Sequence, residues 1–365
     1  MRALEISFII FILIISFLVS FYFGHQGLMP LDDLQNFNSG YRVLNGDFPF
    51  RDYFSITGPL LDIWQSNFYK IFGLSWQGFV IHSSFMNCIY SISIFFFLKR
   101  MKFNSIHSFF YSISAGLLMY PTAGNPTVEH HSLILSTISL FIFIIGLKEK
   151  NNFFLFVSIF IFGLSFFIKQ VPTAYFIIFC SLIYLFQLFC KISFSNLITI
   201  IISSILTILL ILLYFLINEV PLINIFNQYF VFASDLGGNR FEKINFNIFY
   251  ENVSKLYFLL FLLIPSLYIS FVSKKKECFL LIFGLSLIII FYEIHSNNQP
   301  ITFSLLPVFL FFFHYSYEKN KLNLKFVKYF FYLIIIYSFY RILRFENFYI
   351  IILFILILFN FYKKI

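Results

Sequence analysis

Runs of apolar residues recur from one end of this chain to the other, each followed by a short polar break. They fall at 6–23, 79–98, 107–120, 132–147, 153–168, 171–190, 197–217, 255–273, 278–292, 301–315, 326–340 and 348–362. About 20 apolar residues cross a hydrocarbon core of about 30 Å as a helix. Inside lipid every backbone N–H and C=O needs an internal partner, so the runs are expected to be helices and not open strands. The pattern predicts an all-α, polytopic integral membrane protein of about twelve transmembrane helices, with 1–365 as a single membrane domain. The first run is too long for the apolar stretch of a signal peptide. No small-residue cleavage site follows it, so it reads as a retained helix.

The polar breaks carry patterns of their own. In "MPLDDLQNFNSGYRVLNGDFPFRDYF" (29–54), Leu31, Leu34, Phe37, Tyr41 and Leu44 recur at three- and four-residue steps. This predicts a short amphipathic helix over 32–45, stopped by Gly46. Pro49 and Pro59 mark the next stretch as extended or turning. A second amphipathic stretch follows, with Leu60, Leu61, Ile63, Trp64, Phe68, Ile71 and Phe72 apolar and Asp62, Gln65, Asn67 and Lys70 among them. It is expected to lie in the membrane interface with Trp64 and Tyr69 at headgroup level.

Composition agrees with the pattern: the chain is 60% hydrophobic and 11% charged, with a mean hydropathy of +0.88, which no soluble domain shows. The net charge of +9 would suit nucleic acid in a soluble protein. Here most Lys and Arg fall in short breaks on one side, such as Lys99, Arg100 and Lys102, Lys148 and Lys150, and Lys274 to Lys276. That asymmetry places those breaks and the N-terminus in the cytoplasm, in the inner (plasma) membrane, with no nucleic-acid partner. The long breaks, 24–78, 121–131, 218–254 and 293–300, then face outward and hold most of the carboxylates. Cys88, Cys180, Cys190 and Cys278 lack the spacing of a zinc site or a disulfide framework. No Gly-rich phosphate loop, GxSxG or HExxH is present. The sixty Phe residues reflect overall composition more simply than a binding role.

Asp32 and Asp33 begin the first amphipathic helix. An Asp there caps backbone N–H groups and suits the positive end of the helix dipole, and Asp32 with Gln35 has capping-box spacing. A cap explains one Asp and not the adjacent pair. The stretch "LDDLQNFNSGYRVLNGDFPFRDYFSITGPLLDIWQSNFYKIFG" resembles the first outer loop of the GT-C glycosyltransferases, in particular the polyprenyl-phosphate-sugar-dependent branch of protein-mannosyltransferase-like and aminoarabinose-transferase-like bacterial enzymes. The elements that carry the likeness are Asp32-Asp33, Val43-Leu44-Asn45-Gly46, Pro49-Phe50-Arg51-Asp52, Gly58-Pro59 and Ile71-Phe72-Gly73. The chain has Asp33 where the family usually has Glu, and Gly58-Pro59 where Pro-Pro is common. The likeness is best over about 24–180 and includes Phe167-Ile168-Lys169-Gln170, similar to a Lys-Gln at a helix-hairpin tip. Past 190 only the layout matches, and the soluble C-terminal domain of some relatives is not expected.

The resemblance implies transfer of a sugar from a lipid-linked donor to a glycan, lipid or protein acceptor on the outer face, with inversion. By motif position Asp32 is the expected general base and Asp33 the second catalytic candidate, with Arg51 and Asp52 contacting substrate. A positioned carboxylate that takes the acceptor proton is worth about 10²–10⁴-fold. The leaving polyprenyl phosphate needs positive charge. Lys169 at a predicted hairpin tip is one candidate, and Arg240, after Gly237-Gly238 in "DLGGNRFEK", is the other. In "NPTVEHHS" (125–132), Glu129, His130 and His131 are candidate ligands for a divalent cation, the only cofactor expected. In "EIHSNNQP" (293–300), His295 and Asn298 are candidate sugar contacts, beside Glu293 and Asn297. His25, His82 and His107 read as structural. Two other functions fit twelve helices: a transporter or flippase, and an O-antigen-type polymerase. The first predicts charges at mid-membrane. The second predicts several Arg in a late outer loop, where only Arg240 falls in 218–254.

Overall fold

The computed structural model describes residues 3–28, 30–119, 124–191, 194–242, 284, 285, 288, 289 and 299–320. They are mostly helical, and no strand occurs among them. In chain order the helices are α1 (Ala3–Gly24), α2 (Pro30–Leu44), α3 (Leu60–Phe72), α4 (Trp76–Arg100), α5 (Ser105–Met119), α6 (Val128–Glu149), α7 (Asn152–Phe166), α8 (Gln170–Lys191), α9 (Phe194–Ile217), α10 (Leu222–Ile225), α11 (Ala233–Glu242) and α12 (Gln299–Asn320). A π-helical segment, Phe226–Phe232, joins α10 to α11.

Eight of the apolar runs correspond to α1, α4 to α9 and α12. The runs at 255–273, 326–340 and 348–362 lie outside the described residues, and that at 278–292 contributes only four of them. α1, α4, α6 and Ser195–Ile217 of α9 are each long and apolar enough to cross a membrane; α7 and Gln170–Leu185 are shorter apolar helices. α9 exposes Ile198, Ile201, Ile202, Ile205, Ile208 and Leu209, a surface that water would not tolerate but lipid would.

Helices of this composition gain nothing from apolar contact with one another in lipid, so small and polar residues make the joints. Asn87 of α4 donates to the carbonyls of Ser16 on α1 and Gly116 on α5, each at 2.9 Å. Ser139 of α6 and Ser158 of α7 donate to each other's carbonyls at 2.6 and 2.9 Å. Further along the same seam Ser165 donates to the Ser132 carbonyl and meets Ser136 and Thr173. Between these joints Phe97 stacks on Phe141 at 4.3 Å, inside the largest apolar cluster.

The bundle has two unlike ends. At the basic end Lys99 pairs with Glu5 at 2.8 Å and Arg100 with Glu149 at 2.6 Å. At the opposite, loop end, Trp76 donates to the Gly24 carbonyl at 2.9 Å and α2 and α3 pack against each other as an antiparallel pair. Gly40 of α2 lies on Gln65 and Tyr69 of α3.

Within that pair one residue, Tyr69, differs from the sequence expectation. α2 turns Asp33 and Gly40 inward and leaves Leu31, Leu34 and Tyr41 exposed. α3 buries Asp62, Gln65, Ser66 and Tyr69 and exposes Lys70, Ile71 and Phe72. Tyr69 is therefore not at the surface: its hydroxyl donates to the Phe37 carbonyl at 3.3 Å. The reason is that the pair turns its polar side chains toward α4 and the segment before α6, as Gln65 does to His82 and Asn36 to the Pro126 carbonyl, which leaves apolar side chains exposed.

Between α2 and α3, Phe48 and Phe50 enter an apolar cluster with Phe215, Val220, Ile225 and Tyr229. Phe50 does so with φ of 68°, a strained value for a bulky residue. Gly58 then passes against the α7–α8 tip, donating its N–H to the Ile168 carbonyl at 2.9 Å. A Cβ at Gly58 would stand 1.7 Å from the Phe167 carbonyl oxygen, so glycine is obligatory here and explains the Gly-Pro of the motif. The expected second large loop, 218–254, is helical from Leu222 to Glu242.

Candidate functional site

Adjacent residues on a helix point about 100° apart, so Asp32 and Asp33 cannot share a face. Asp32 is exposed and Asp33 is fully buried. Asn125, also fully buried, donates Nδ2 to Asp33 Oδ2 at 2.9 Å and to the Gly27 carbonyl at 3.4 Å. Both partners are acceptors, which fixes the orientation of the amide.

The segment that carries Asn125 is held from several sides. Gly124 has φ of +61° and presses on the Gly24 backbone, where a Cβ would stand 2.1 Å from Gly24 N. Ser83 donates to the Gly124 carbonyl, and Asn36 donates to that of Pro126 at 3.2 Å. Thr127 caps α6, its hydroxyl accepting from His130 N–H and meeting His130 Nδ1 at 2.6 Å.

A buried chain of side chains continues from this cap. His131 Nδ1 lies 2.9 Å from the Thr127 carbonyl, and only a protonated nitrogen can pair with a carbonyl. In a neutral ring its Nε2 then accepts, and His82 Nε2, at 3.2 Å, donates to it. His82 Nδ1 lies 2.7 Å from the Gln65 side-chain amide, which closes the chain. His82 is thus a structural residue, but its role is to tie α3 to α4 and α6. His25 bonds the Phe21 carbonyl at 2.8 Å, and His107 packs against His314.

The three candidate metal ligands diverge. Glu129 pairs with Lys169, His130 turns to Thr127, and His131 turns to His82. No group of three or more His, Cys, Asp or Glu fit to hold a metal occurs among the described residues. The arrangement of these side chains does not fit a divalent cation.

Lys169 sits on the α7–α8 tip and borders a cavity of about 390 Å³ lined also by Ile56, Thr57, Gln170, Tyr229 and Ser234. Phe166 and Phe230 wall this cavity and also a larger one of about 680 Å³. The larger cavity runs among α7, α8, α9 and the π segment and is lined almost wholly by apolar side chains, including Phe162, Tyr184, Ile211 and Phe215. Lys169 therefore stands at the rim of a mostly apolar cavity, with the larger apolar one as its neighbour.

Arg51 and Asp52 are knitted into the loop. Arg51 pairs with Asp52 at 2.8 Å and donates to the Asn218 carbonyl at 2.7 Å, tying the loop to the end of α9. The Arg51 guanidinium and the Phe48 N–H hold the Asp52 carboxyl below its ordinary range. Arg240 lies on α11; its side chain, His295 and Asn298 fall outside the described residues.

Two groups carry no signal in a linear reading. Asp62 is buried and accepts from the Tyr53 hydroxyl at 2.7 Å. Burial pushes its carboxyl up to about 7, against the opposing pull of that hydroxyl. Asn125 is the other: its one visible cue is that Asn-Pro begins a turn, which says nothing of Asp33. No protein-family model matches this chain, and comparison with curated proteins gave no match.

Proposed function

We propose that the chain is an integral membrane glycosyltransferase that moves a sugar from a polyprenyl-phosphate-linked donor to an acceptor hydroxyl, with inversion, at the outer face of the membrane. The observation that carries the reading is the mostly apolar cavity bordered by Lys169, which neighbours a larger apolar cavity and lies on the same end of the bundle as the acidic pair of α2. A polyprenyl chain is apolar and long and its phosphate is anionic, which is the chemistry of those cavities and that rim. The basic end, with Lys99, Arg100, Lys148 and Lys150, then faces the cytoplasm.

The acidic pair and Lys169 are joined by one short segment. Asn125 bonds Asp33 and Glu129 bonds Lys169. Three residues separate Asn125 from Glu129, at most about 14 Å of chain.

In the reaction the Asp32 carboxylate takes the proton of the acceptor hydroxyl. The acceptor oxygen forms its bond to the anomeric carbon as the bond to the phosphate oxygen breaks. The electron pair leaves with the polyprenyl phosphate, whose charge Lys169 offsets. Asp32 takes the role of base because it is the accessible acid of the pair. Lys169 is paired with Glu129 before the donor arrives, so the phosphate replaces one carboxylate contact with another anion and leaves no buried cation unpaired.

The test is transfer of labelled sugar from polyprenyl-phosphate mannose and polyprenyl-phosphate glucose by purified protein in liposomes. Asp32→Asn should lower turnover by about 10²–10⁴-fold while the protein still folds. Unchanged transfer in a folded Asp32→Asn protein removes Asp32 as the base. A transporter would instead move donor across the bilayer with no change of the sugar linkage, which the same liposomes report.

A further inference from the structure

We infer that Asn125 and Asp33 form a clamp that positions Asp32, and that Asp33 is not itself the base. The inference rests on the glycosyltransferase reading of the site. It begins from the unequal environments of two adjacent acids. Asp33 shows no exposed surface, so no acceptor hydroxyl touches it in this conformation, whereas Asp32 is open. Asp33 instead spends an oxygen on the amide of Asn125.

The carrier of Asn125 is built for rigidity. Gly124 meets the Gly24 backbone, Ser83 holds the Gly124 carbonyl, Asn36 holds the Pro126 carbonyl, and Thr127 caps α6. Asn125 also reaches back to the Gly27 carbonyl, one residue from the last described position before α2. The amide therefore grips the first turn of α2 and the strand of chain that leads into it together. Asp32 belongs to that same turn, so the direction of its side chain is set by a contact it does not make. A base loses much of its effect when displaced by about 1 Å, which is what the loss of such a clamp would bring.

The distinction from a catalytic Asp33 lies in what each substitution leaves behind. Asp33→Asn keeps an oxygen that accepts from Asn125, replacing a charge-assisted bond by a neutral one. Asp33→Ala and Asn125→Ala each remove the clamp. The experiment measures kcat and the KM for polyprenyl-phosphate mannose or glucose, whichever the wild type turns over, together with the melting temperature in detergent. Asp33→Ala and Asn125→Ala should each lower kcat by about tenfold, with donor KM unchanged, and the double variant should lower it no further, because both break one contact. Asp33→Asn should retain most of the activity.

Loss of activity in Asp33→Asn as deep as in Asp32→Asn overturns the clamp and makes Asp33 the base. Multiplying effects of the two Ala substitutions overturn it as well. If Asp32→Asn is harmless, the proposed reaction fails, and the clamp is then judged by melting temperature alone. Equal, non-additive losses for Asp33→Ala and Asn125→Ala support the contact, and additive ones reject it.

Discussion

At the basic end of the bundle, Arg100 and Glu149 meet in a bidentate pair that is about half exposed on the Arg side, and Lys99 meets Glu5 where two helices end. At the loop end, Asp33, Asn125, Asp62, Gln65, His82 and His131 are all buried, and each is met by another polar group. The first arrangement is what solvated charge does by default, and such pairs add little to stability. The second is costly to build, since a buried polar group left unpaired costs about 1–3 kcal/mol. The contrast supports placing the chemistry at the loop end.

The largest effect expected from breaking that contrast is catalytic. Asp32→Asn should cost about 10²–10⁴-fold in sugar transfer, while Glu149→Gln at the basic end should leave transfer unchanged. Next comes Gly58→Val, whose side chain has no room beside the Phe167 carbonyl. It should displace the α7–α8 tip and destabilise the protein by several kcal/mol, read as a lower melting temperature and as weaker donor binding through Lys169. Third, Lys169→Met and Glu129→Gln should move donor affinity in opposite directions. The first removes the cation and weakens binding by about tenfold or more; the second frees the lysine and tightens binding. Loss of donor affinity in both would mean that Glu129 touches the donor itself, and loss of activity with chelator would reopen the metal.

A smaller effect concerns pH. The Asp62 carboxyl is raised to about 7 in the folded protein, so the folded state holds its proton more tightly than the unfolded chain does. Stability from this group is greatest below the unfolded value of about 3.9 and falls as pH rises through about 7. Melting temperature measured from pH 4 to 8 should decline in the wild type, and Asp62→Asn should flatten that part of the curve. The smallest effect is that of Arg100→Ala, expected to lower the melting temperature only slightly and to fade in high salt.

The apolar runs made the helices legible. The periods at 6–23, 79–98, 132–147 and 197–217 correspond to α1, α4, α6 and α9, because in lipid a run of that length has one stable backbone solution. The helix of the first loop was legible too, as was the hairpin tip at Lys169. What pattern did not place was Tyr69: expected at headgroup level, it is buried, with its hydroxyl on the Phe37 carbonyl, because α2 packs over that side of α3. Likewise Glu129, His130 and His131 are neighbours in sequence, but successive positions on a helix diverge, so they reach Lys169, Thr127 and His82 separately.

The sequence by itself determined a helical membrane chain, a basic side, and an acidic pair at the start of a loop helix. Those follow from local properties: hydropathy, charge and period. Only the tertiary structure decided which acid is buried, that Asn125 holds it, that Gly58 has no room for a side chain, and that Lys169 borders an apolar cavity. Each of those depends on residues brought together from distant parts of the chain, 92 positions apart for Asp33 and Asn125, and no local pattern encodes such a meeting.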